Sequence, residues 1–353
     1  MAIGSGDLPA PRAVTRADVA RYAGVSAAVV SYVVNDGPKP VAPATAARVR
    51  EAIDVLGYRP NVTARALKLG TTGMVGLIVS DSSNPFFAEY ALAVEQAAAD
   101  RGLVLLMANS NSDAEIEYQL MLDLIGRQVD GLIVSPAAGP PRSRAAGQRR
   151  PGPPVVYVDT AVPAPGLHTI GTDAVLGARL AVDHLVRVHG HRNVALLIGS
   201  GYRRSVDDRE RSWQQVLRAA DRPDGALVRE PFTREGGYQG GLRLLRMRPQ
   251  PTAVFASSDM QAIGLLRAAH ELGVRVPEDL AIVSFDGTQE SEYCWPPLTA
   301  VRQPLRAMAE AAVRVVVEVP TARPGHQLFP PELVIRRSCG CPGSDDPHRY
   351  EGR

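Results

Sequence analysis

Residues 15–34 read TRADVARYAGVSAAVVSYVV, and this stretch decides how the amino-terminal part of the chain folds. Thr15 can cap a helix whose first turn carries Asp18, since a negative charge is favourable near a helix N-terminus. Gly24 then allows a sharp turn, and Ser26 can cap a second short helix. Two short helices joined by a turn that contains glycine predict a helix-turn-helix, whose second helix enters the major groove of DNA.

A third helix is expected to follow. Pro43 suits the first turn of a helix, and apolar residues then recur at helical spacing. The same pattern would suit a three-helix bundle that binds no DNA, so the helices alone leave that alternative open. The inner faces are expected to be formed by Val19, Ala20 and Ala23, by Val30, Val33 and Val34, and by Val49, Ala52, Ile53 and Leu56.

Positive charge is concentrated in the same region. The first 70 residues carry nine Lys or Arg against five Asp or Glu, whereas the other 283 of the 353 residues carry 30 against 32. A basic segment joined to a nearly neutral body is typical of a module that binds a polyanion. Because the sequence shows no run of 18 apolar residues and no secretory signal, we expect no membrane contact and a cytoplasmic location.

After about residue 72, short apolar runs alternate with amphipathic stretches. This alternation predicts parallel strands with helices on both faces, and the elements are too many for one sheet. We therefore expect an α/β body of two doubly wound parallel-sheet lobes, with ligands in the crevice at the carboxyl ends of the strands. Strands are predicted near 74–80, 103–108, 131–135, 154–158, 193–198, 252–256 and 280–284. Helices are predicted near 87–100, 114–126, 173–188, 206–219, 235–246, 259–272 and 304–317.

The stretch after the third helix, GYRPNVTARALKL at residues 57–69, adds a specific signal. Together with the helix-turn-helix, it resembles the LacI/GalR family of bacterial transcriptional repressors, and the resemblance extends from about residue 14 to Pro342. It implies an all-α DNA-binding head, a hinge helix and a body similar to the periplasmic sugar-binding proteins. The motifs that carry it are Val14-Thr15, Asp18-Val19-Ala20, Ala23-Gly24-Val25-Ser26, Val30-Ser31, Val33-Val34-Asn35, Gly57-Tyr58-Arg59-Pro60-Asn61, Ala64-Arg65-Ala66-Leu67, Asn84-Pro85-Phe86-Phe87, Asp130-Gly131-Leu132-Ile133, Pro297-Leu298-Thr299 and Val301-Arg302-Gln303-Pro304.

The resemblance also implies where the chain divides. The chain would cross between its two lobes near residues 172, 303 and 322. Since no apolar heptads follow Cys341, we expect a homodimer without a coiled-coil tetramer. The expected parts are a DNA-binding domain at 14–60, a hinge at 61–71, a two-lobed effector-binding and dimerisation domain at 72–342 and a tail at 343–353. Lobe 1 would comprise about 73–172 and 304–322, and lobe 2 about 173–303 and 323–342.

In this family, exposed residues of the second helix read DNA bases. The resemblance assigns that role to Ala27, Ala28 and Tyr32. Alanine methyl groups can contact thymine methyl groups, but tyrosine cannot make the bidentate hydrogen bonds by which arginine recognises guanine. We therefore expect few base-specific hydrogen bonds in the major groove. Ser31 and Asn35 match positions that contact phosphates and fix the register on a pseudo-palindromic operator.

The resemblance assigns the hinge to the minor groove, where it becomes helical on DNA. Leu67 matches a leucine that is inserted between base pairs, and small Ala64 allows close approach. Ala42 stands where relatives often have a capping serine, so we expect the third helix to begin less firmly. The residues assigned to DNA contact are Thr15, Ser26, Ala27, Ala28, Ser31, Tyr32, Asn35, Asn61, Ala64, Arg65, Leu67 and Lys68.

The body is expected to bind a small-molecule effector, a sugar or related metabolite, between its lobes. The resemblance makes Arg209 the group that grips hydroxyls or a carboxylate, Asp286 an acceptor for hydroxyls and Phe232 a floor for a flat ring. Ser258 replaces the asparagine that is common in the family, so one amide contact is lost. The residues assigned to the effector are Ser80, Phe86, Phe87, Ser135, Asp159, Ser205, Arg209, Phe232, Ser258, Asp286 and Gln303.

Two other functions fit parts of the pattern. A sugar-binding transport protein would need an export signal and would leave residues 14–69 without a role. An enzyme on a doubly wound fold finds little support, because Gly199 and Gly201 lack the third glycine and the acidic partner of a dinucleotide-binding loop. We therefore expect no enzymatic activity.

The sequence also contains histidines and cysteines that invite a metal-site interpretation. Three cysteines are too few for a disulfide framework or a four-ligand zinc site. His189 and His191 are interpreted as part of a solvent-exposed turn, and Cys339 and Cys341 as an ordinary tail. We therefore expect neither a cofactor nor a metal.

Overall fold

The computed structural model describes residues 14–34, 40–59, 70–137, 139, 152–160, 163–200, 207–317 and 324–342. The chain forms two compact units, Met1–Thr72 and Gly73–Arg353. Among the described residues, no single helix is long and apolar enough to cross a membrane. One pair of helices joined by a bend, Arg16–Ala23 and Ala27–Val34, would together have the necessary length and composition. Seven residues expected to contact DNA or effector lie outside the described residues: Asn35, Asn61, Ala64, Arg65, Leu67, Lys68 and Ser205.

The amino-terminal unit contains helices α1 (Arg16–Ala23), α2 (Ala27–Val34) and α3 (Pro43–Leu56). Thr15 and Asp18 form a capping box: the Thr15 amide donates to the Asp18 carboxylate at 2.9 Å, and the Asp18 amide donates to the Thr15 hydroxyl at 3.4 Å. Gly24 ends α1 in the left-handed conformation, with φ of 64°. The bend of 104° between α1 and α2 falls within the roughly 90–120° of helix-turn-helix pairs, so that prediction is confirmed.

The core of this unit is formed by the predicted inner faces. Val19, Val30 and Val49 are fully enclosed, whereas the last residues of α2 and α3 pack against them only in part. Helix α3 begins at Pro43 with no side-chain cap, because Ala42 offers no hydrogen-bonding group. The expected weak start of this helix is therefore present in the structure.

The body contains two sheets with helices on both faces. Within the described residues, the first sheet has the strand order β11-β5-β4-β3-β1-β2, and each neighbouring pair is parallel. Alternate strand residues enter two separate cores, so Leu77 packs towards α4 and α11 while Ile78 packs towards α5. Its elements are β1 (Met74–Val79), α4 (Pro85–Ala99), β2 (Val104–Asn109), α5 (Ala114–Gly126), β3 (Gly131–Val134), β4 (Val155–Tyr157), β5 (His168–Thr172), α11 (Leu305–Val317) and β11 (His326–Phe329).

The second sheet repeats this architecture. Its order is β12-β10-β9-β8-β6-β7, with one antiparallel pair, β10 with β12. A π-helical turn, His184–Val188, directly continues α6, so the helix predicted at 173–188 changes type within its last turn. Its elements are α6 (Ala174–Asp183), β6 (Val194–Ile198), α7 (Asp208–Ala219), β7 (Leu227–Arg229), α8 (Arg234–Arg246), β8 (Ala253–Ala256), α9 (Asp259–Glu271), β9 (Ala281–Asp286), α10 (Glu290–Tyr293), β10 (Thr299–Arg302) and β12 (Glu332–Val334).

The chain passes between the two sheets three times. Two passages, after β5 and after β10, fall at the expected positions near 172 and 303. The expected third crossing near 322 is wrong, because β11 still pairs with β5 in the first sheet. The chain therefore crosses at residues 330–331, immediately before β12 joins the second sheet.

Candidate functional site

The head presents the predicted DNA-reading surface along α2. Ala27 and Ala28 are exposed, and Tyr32 is half-buried. The other polar residues at this end have structural partners: the Thr15 hydroxyl donates to Asp18 at 2.6 Å, and the Ser26 hydroxyl accepts from the Val29 amide at 3.4 Å. The exposed side of α2 therefore presents mainly methyl groups and a phenol, which can make few base-specific hydrogen bonds with DNA.

In the body, Arg209 is the most strongly fixed of the predicted effector residues. Its Nε and Nη2 atoms donate to the two carboxylate oxygens of Asp207 at 3.0 and 2.8 Å, a bidentate pairing. Its Nη1 atom donates to the carbonyl of Ser257 at 3.0 Å. Asp207 also caps α7 by accepting from the Arg209 amide at 2.8 Å, so one carboxylate orients both the helix and the guanidinium.

Two aromatic rings enclose the same guanidinium. The Arg209 Cζ atom lies 5.2 Å from the ring centre of Phe232 and 5.4 Å from that of Phe285, distances at which a cation is attracted to an aromatic face. Among the described residues, three of its five N–H groups have an acceptor. Arg209 is therefore an ordered cation with donor capacity left for a ligand, beside the ring that was predicted to form the floor.

Asp286 and Gln303 belong to one hydrogen-bonded chain that reaches from lobe 2 to lobe 1. Gln303 Nε2 donates to the Asp286 carboxylate at 2.8 Å, and the Thr172 hydroxyl donates to Gln303 Oε1 at 2.6 Å. Thr172 ends β5 and Gln303 follows β10, so these side chains connect two of the three crossings. The structure thus gives Gln303 a bridging position between the lobes.

The Asp286 carboxyl is buried in an electrically crowded place. Burial and the nearby charge of Asp259 raise its pKa well above the usual value, and the Arg209 charge opposes that rise. Its backbone φ is 117°, a conformation that residues other than glycine rarely adopt. Strained, charged groups of this kind gather at functional sites, where they are positioned for a ligand.

Lobe 1 contributes a second polar group that faces these residues. Although Asp159 is exposed, its carboxyl loses hydration to neighbouring protein atoms, which raises its pKa to about 6. The charge of Arg209 opposes this rise, and the charge of Asp207 adds to it. Tyr90 lies close enough for the charge of Asp159 to act on it. Burial and, to a smaller extent, this charge raise the pKa of its phenol. The Tyr90 hydroxyl is buried and has no hydrogen-bond partner among the described residues.

The remaining predicted residues of lobe 1 take different positions. The hydroxyl of Ser80 contacts Ser135, with its oxygen 3.2 Å from the Ser135 carbonyl, at the ends of adjacent strands. Phe86 is buried and meets Phe87 edge-to-face at 5.0 Å between ring centres. Phe87 lines a groove of about 380 Å³ with Leu92 and Met107 on the outside of lobe 1. An effector role for Ser80, Ser135, Phe86 and Phe87 stays a prediction.

Ser258 has a structural contact in lobe 2. Its hydroxyl accepts from the Gln261 amide at 3.2 Å and caps α9. The adjacent Asp259 carboxylate accepts from Ser284 and Thr288, so it too is engaged in the packing of β9 and the loop that follows it. Contact between Ser258 and an effector likewise stays a prediction.

Sequence reasoning missed three residues of this site: Asp207, Tyr90 and Thr172. Asp207 had a detectable signal, since aspartate is one of the residues preferred immediately before the first residue of a helix. Tyr90 and Thr172 had none, because only the fold brings them to Asp159 and Gln303. A further contact between lobes was also missed, in which the Gln289 amide donates to the Glu89 carboxylate at 2.7 Å.

A groove of about 700 Å³ in the described part of the body does not include Arg209. It is an open groove between α4, α11 and the segment after β9, and Asp286 and Gln303 are the predicted effector residues that it shares. We therefore locate the candidate site by the converging polar groups rather than by this groove.

The interpretation of His189 and His191 as part of a solvent-exposed turn, and of Cys339 and Cys341 as an ordinary tail, is wrong. His189 lies beside His184 with Nε2 atoms 3.2 Å apart, whereas His191 contacts Thr252. Cys339 is buried in the core of lobe 2 rather than lying in a tail. The reason is long-range: the residues after β12 fold back against the end of α6.

Comparison with known proteins supports both units. Residues 15–61 match the family model described as bacterial regulatory proteins, lacI family, and residues 182–339 match that of a periplasmic binding protein-like domain. The chain is 32% identical over 325 residues to the ribose operon repressor of Escherichia coli, covering 92% of this chain and 96% of that protein. It is also 32% identical over 331 residues to the HTH-type transcriptional repressor PurR of Pectobacterium carotovorum, covering 91% and 95%.

Solved structures show the same architecture. The Lac repressor dimer bound to operator and the anti-inducer ONPF matches with a TM-score of 0.80 and 28% identity, covering 93% of this chain and 99% of that chain. A LacI family transcriptional regulator from Enterococcus faecium with bound ribose matches with a TM-score of 0.65 and 28% identity, covering 75% and 98%. The predicted fold, a helical head with an α/β body of two parallel-sheet lobes, is confirmed.

Proposed function

Because the chain belongs to the lacI family of bacterial regulatory proteins, we propose that it is a DNA-binding transcriptional repressor whose operator affinity is controlled by a sugar or a related small molecule. The observation that carries the effector assignment is the fixed guanidinium of Arg209, held by Asp207 beside the Phe232 ring. A polyol presents hydroxyls that both donate and accept, together with an apolar face. Arg209 supplies donors, Asp159 and Asp286 supply acceptors, and the ring supplies an apolar wall.

Control of DNA binding requires the effector to favour one arrangement of the two lobes. Asp159 belongs to lobe 1, and Arg209 and Asp286 belong to lobe 2. An effector bound to all three groups favours one spacing of the lobes, and the bridging contacts Gln303–Thr172 and Gln289–Glu89 respond to that spacing. Residues 61–71 are proposed to be the hinge that transmits this change to the head.

The proposed active form is a homodimer that binds a pseudo-palindromic operator, one head per half-site. The solved relative bound to operator is a dimer, which supports this assembly. The exposed methyls of Ala27 and Ala28 would contact thymine methyl groups, and most of the specificity would come from DNA shape and from Leu67 in the hinge. The relatives are repressors, so we propose no catalytic activity and a cytoplasmic location.

The test begins with thermal unfolding of the full-length protein against pentoses, hexoses, nucleosides and purines, because a ligand that binds only the folded state raises its unfolding temperature. Operator sequences are then selected from a random DNA library, and operator affinity is measured with and without the stabilising compound. The variant Arg209→Ala should bind operator as the wild type does but lose about 30–150-fold in effector affinity, since a charged hydrogen-bond partner contributes about 2–3 kcal/mol.

A matched control is Arg267→Ala, which removes an exposed arginine of the same lobe that forms an ion pair with Glu271 on the surface of α9. This control should respond to effector as the wild type does. If Arg209→Ala also responds like the wild type, the effector site has been misplaced. If it unfolds normally but no longer binds operator, the proposed separation of effector binding from DNA binding is wrong.

A further inference from the structure

Four side chains that the proposed function does not use converge in lobe 2: His184, His189, Cys339 and Cys341. Their nitrogen and sulfur atoms all lie within 4.8 Å of one another. His184 Nε2 is 3.2 Å from His189 Nε2 and 3.3 Å from Cys339 Sγ. Cys341 Sγ is 3.3 Å from His189 Nε2 and 3.6 Å from His184 Nε2.

These separations match the edges of a tetrahedron around one zinc ion. Zinc lies about 2.0–2.1 Å from histidine nitrogen and about 2.3 Å from thiolate sulfur, so tetrahedral geometry requires about 3.3 Å between two nitrogens and about 3.6 Å between nitrogen and sulfur. The measured distances are 3.2 Å for the nitrogen pair and 3.3–3.6 Å for the nitrogen–sulfur pairs. Four of the six separations are therefore at ligand spacing, and the remaining two do not exceed 4.8 Å.

The π-helical turn is what brings the two histidines together. In a regular α-helix, residues five apart point about 140° away from each other around the axis. Here the His189 amide donates to the His184 carbonyl at 3.3 Å, the bond that defines a π turn, and the two side chains lie on one side of the helix. Single π turns associated with α-helices are frequently found at functional sites.

The backbone between the two cysteines is shaped for convergence as well. Gly340 has φ of 95°, which an L side chain rarely adopts, and its amide donates to the Arg337 carbonyl at 3.0 Å. A side-chain carbon at Gly340 would lie 3.7 Å from the His189 ring, so the turn passes directly against this ligand. Glycine at this position lets Cys339 and Cys341 face the same point.

A hydroxyl is also directed at one of the sulfur atoms. Thr299 accepts from the Arg336 amide at 2.9 Å, and its Oγ1 lies 3.1 Å from Cys339 Sγ. A hydroxyl that donates towards a sulfur ligand is an outer-sphere contact of the kind that orients the ligands of a metal. Two thiolates neutralise a divalent cation, so the buried site would carry no net charge.

We propose that His184, His189, Cys339 and Cys341 bind one Zn²⁺ ion that fastens the segment after β12 to the end of α6. Nitrogen and sulfur ligands in tetrahedral arrangement select zinc over magnesium or calcium. All four ligands come from the protein, which is the pattern of a structural rather than a catalytic site. The ion stabilises lobe 2 and does not contact the effector or the operator.

The experiment uses the full-length chain without a polyhistidine tag, purified under reducing conditions and dialysed against metal-free buffer after addition of zinc. Elemental analysis should find one zinc per chain. Replacement by Co²⁺ should give the intense visible bands of a tetrahedral site and the near-ultraviolet charge-transfer band of cobalt–thiolate bonds. Removal of metal by a strong chelator should lower the unfolding temperature, and added zinc should restore it.

The variants are chosen at the half-buried ligands, because a change at buried His184 or Cys339 could prevent folding. Cys341→Ser and His189→Gln should weaken zinc binding by more than the roughly 10–100-fold that outer-sphere partners contribute. Their unfolding temperatures should no longer respond to chelator. Cys294→Ser and His191→Gln alter the third cysteine and the neighbouring histidine, and these controls should retain zinc.

Three results overturn the proposal. The first is a folded, reduced wild-type chain that retains no zinc after exposure to it, which would leave the cluster as a set of ordinary hydrogen bonds. The second is recovery of Cys339 and Cys341 as a disulfide from cells lysed in the presence of an alkylating reagent, with the same unfolding temperature whether or not zinc is added. Retention of zinc by both Cys341→Ser and His189→Gln would place the ion elsewhere and would equally refute this site.

Discussion

Replacing Gln303 by leucine tests whether the bridge between the lobes contributes to stability. Gln303 is buried and makes two side-chain bonds, accepting from Thr172 at 2.6 Å and donating to Asp286 at 2.8 Å. Leucine is similar in volume but makes neither bond. The Thr172 hydroxyl would keep only its contact with the Met308 sulfur at 3.3 Å, and the Asp286 carboxylate would lose its closest donor.

Each buried polar group that loses its hydrogen-bond partner lowers the free energy of unfolding by about 1–3 kcal/mol. For Thr172 we expect about 1 kcal/mol, because its hydroxyl keeps its contact with the Met308 sulfur. Gln303→Leu should therefore lower the free energy of unfolding of the body by about 2–4 kcal/mol. Urea unfolding followed by circular dichroism measures this change. Gln239→Leu makes the same substitution on the exposed side of α8 and should alter stability by less than about 0.5 kcal/mol.

The variant Thr172→Val separates the two bonds. It removes the hydroxyl that Gln303 accepts from, and combining it with Gln303→Leu gives a double-mutant cycle whose coupling energy should be about 0.5–3 kcal/mol. If Gln303→Leu costs no more than the surface control, the bridge does not stabilise the body. Strict additivity of the two substitutions would show that Thr172 and Gln303 act independently, which contradicts the structure.

Three further predictions concern the head, the hinge and the cleft. Ala42→Ser should cap α3 and raise head stability by about 1 kcal/mol, seen as slower amide exchange in α3 of the full-length protein; unchanged exchange would contradict it. Leu67→Ala should reduce DNA bending in circular-permutation gel shifts while sparing weak, salt-sensitive binding, and an unchanged bend would refute the wedge. Because the folded state raises the pKa of Asp159 from 3.8 to about 6, this group contributes stability below about pH 4 that is lost as pH rises through 6. Subtracting the pH profile of Asp159→Asn from that of the wild type should reveal the loss, and a flat difference would exclude it.

The fold was accessible from the sequence wherever local patterns decide it. The capping residues Thr15 and Ser26, the turn at Gly24 and the continuous apolar runs placed the helices of the head and the central strands close to their observed bounds. The sequence analysis missed five strands: β5, β7, β10, β11 and β12. Three of them, β7, β11 and β12, are short edge strands that are partly exposed and carry polar or charged residues. The other two, β5 and β10, are mostly buried, but threonine, histidine or arginine interrupts their apolar pattern. Their strand character comes from pairing with a neighbour rather than from their own pattern.

The candidate site was predictable only in part, for the same physical reason. Arg209, Asp286 and Gln303 were found by resemblance, but Asp207, which orients Arg209, was not. Thr172 was also missed, since it bonds Gln303 from 131 residues away in the chain. The histidine–cysteine cluster joins residues 155 positions apart, and counting cysteines alone hid the two histidines. The π turn that aligns these histidines has no recognisable sequence signal in a stretch that reads as an ordinary amphipathic helix.

The late entry of β11 into the first sheet has a consequence for synthesis of the protein. His326 pairs with the strand that contains Thr169, 157 residues earlier, and α11 packs against α4, which lies more than 200 residues earlier in the chain. On the ribosome the head can fold as soon as it emerges, whereas lobe 1 must wait until nearly the whole polypeptide has been made. Nascent chains arrested before residue 305 should therefore carry a protease-resistant head on a protease-sensitive body. A messenger RNA truncated in that interval would encode a folded head without the body that is proposed to bind effector and to form the dimer.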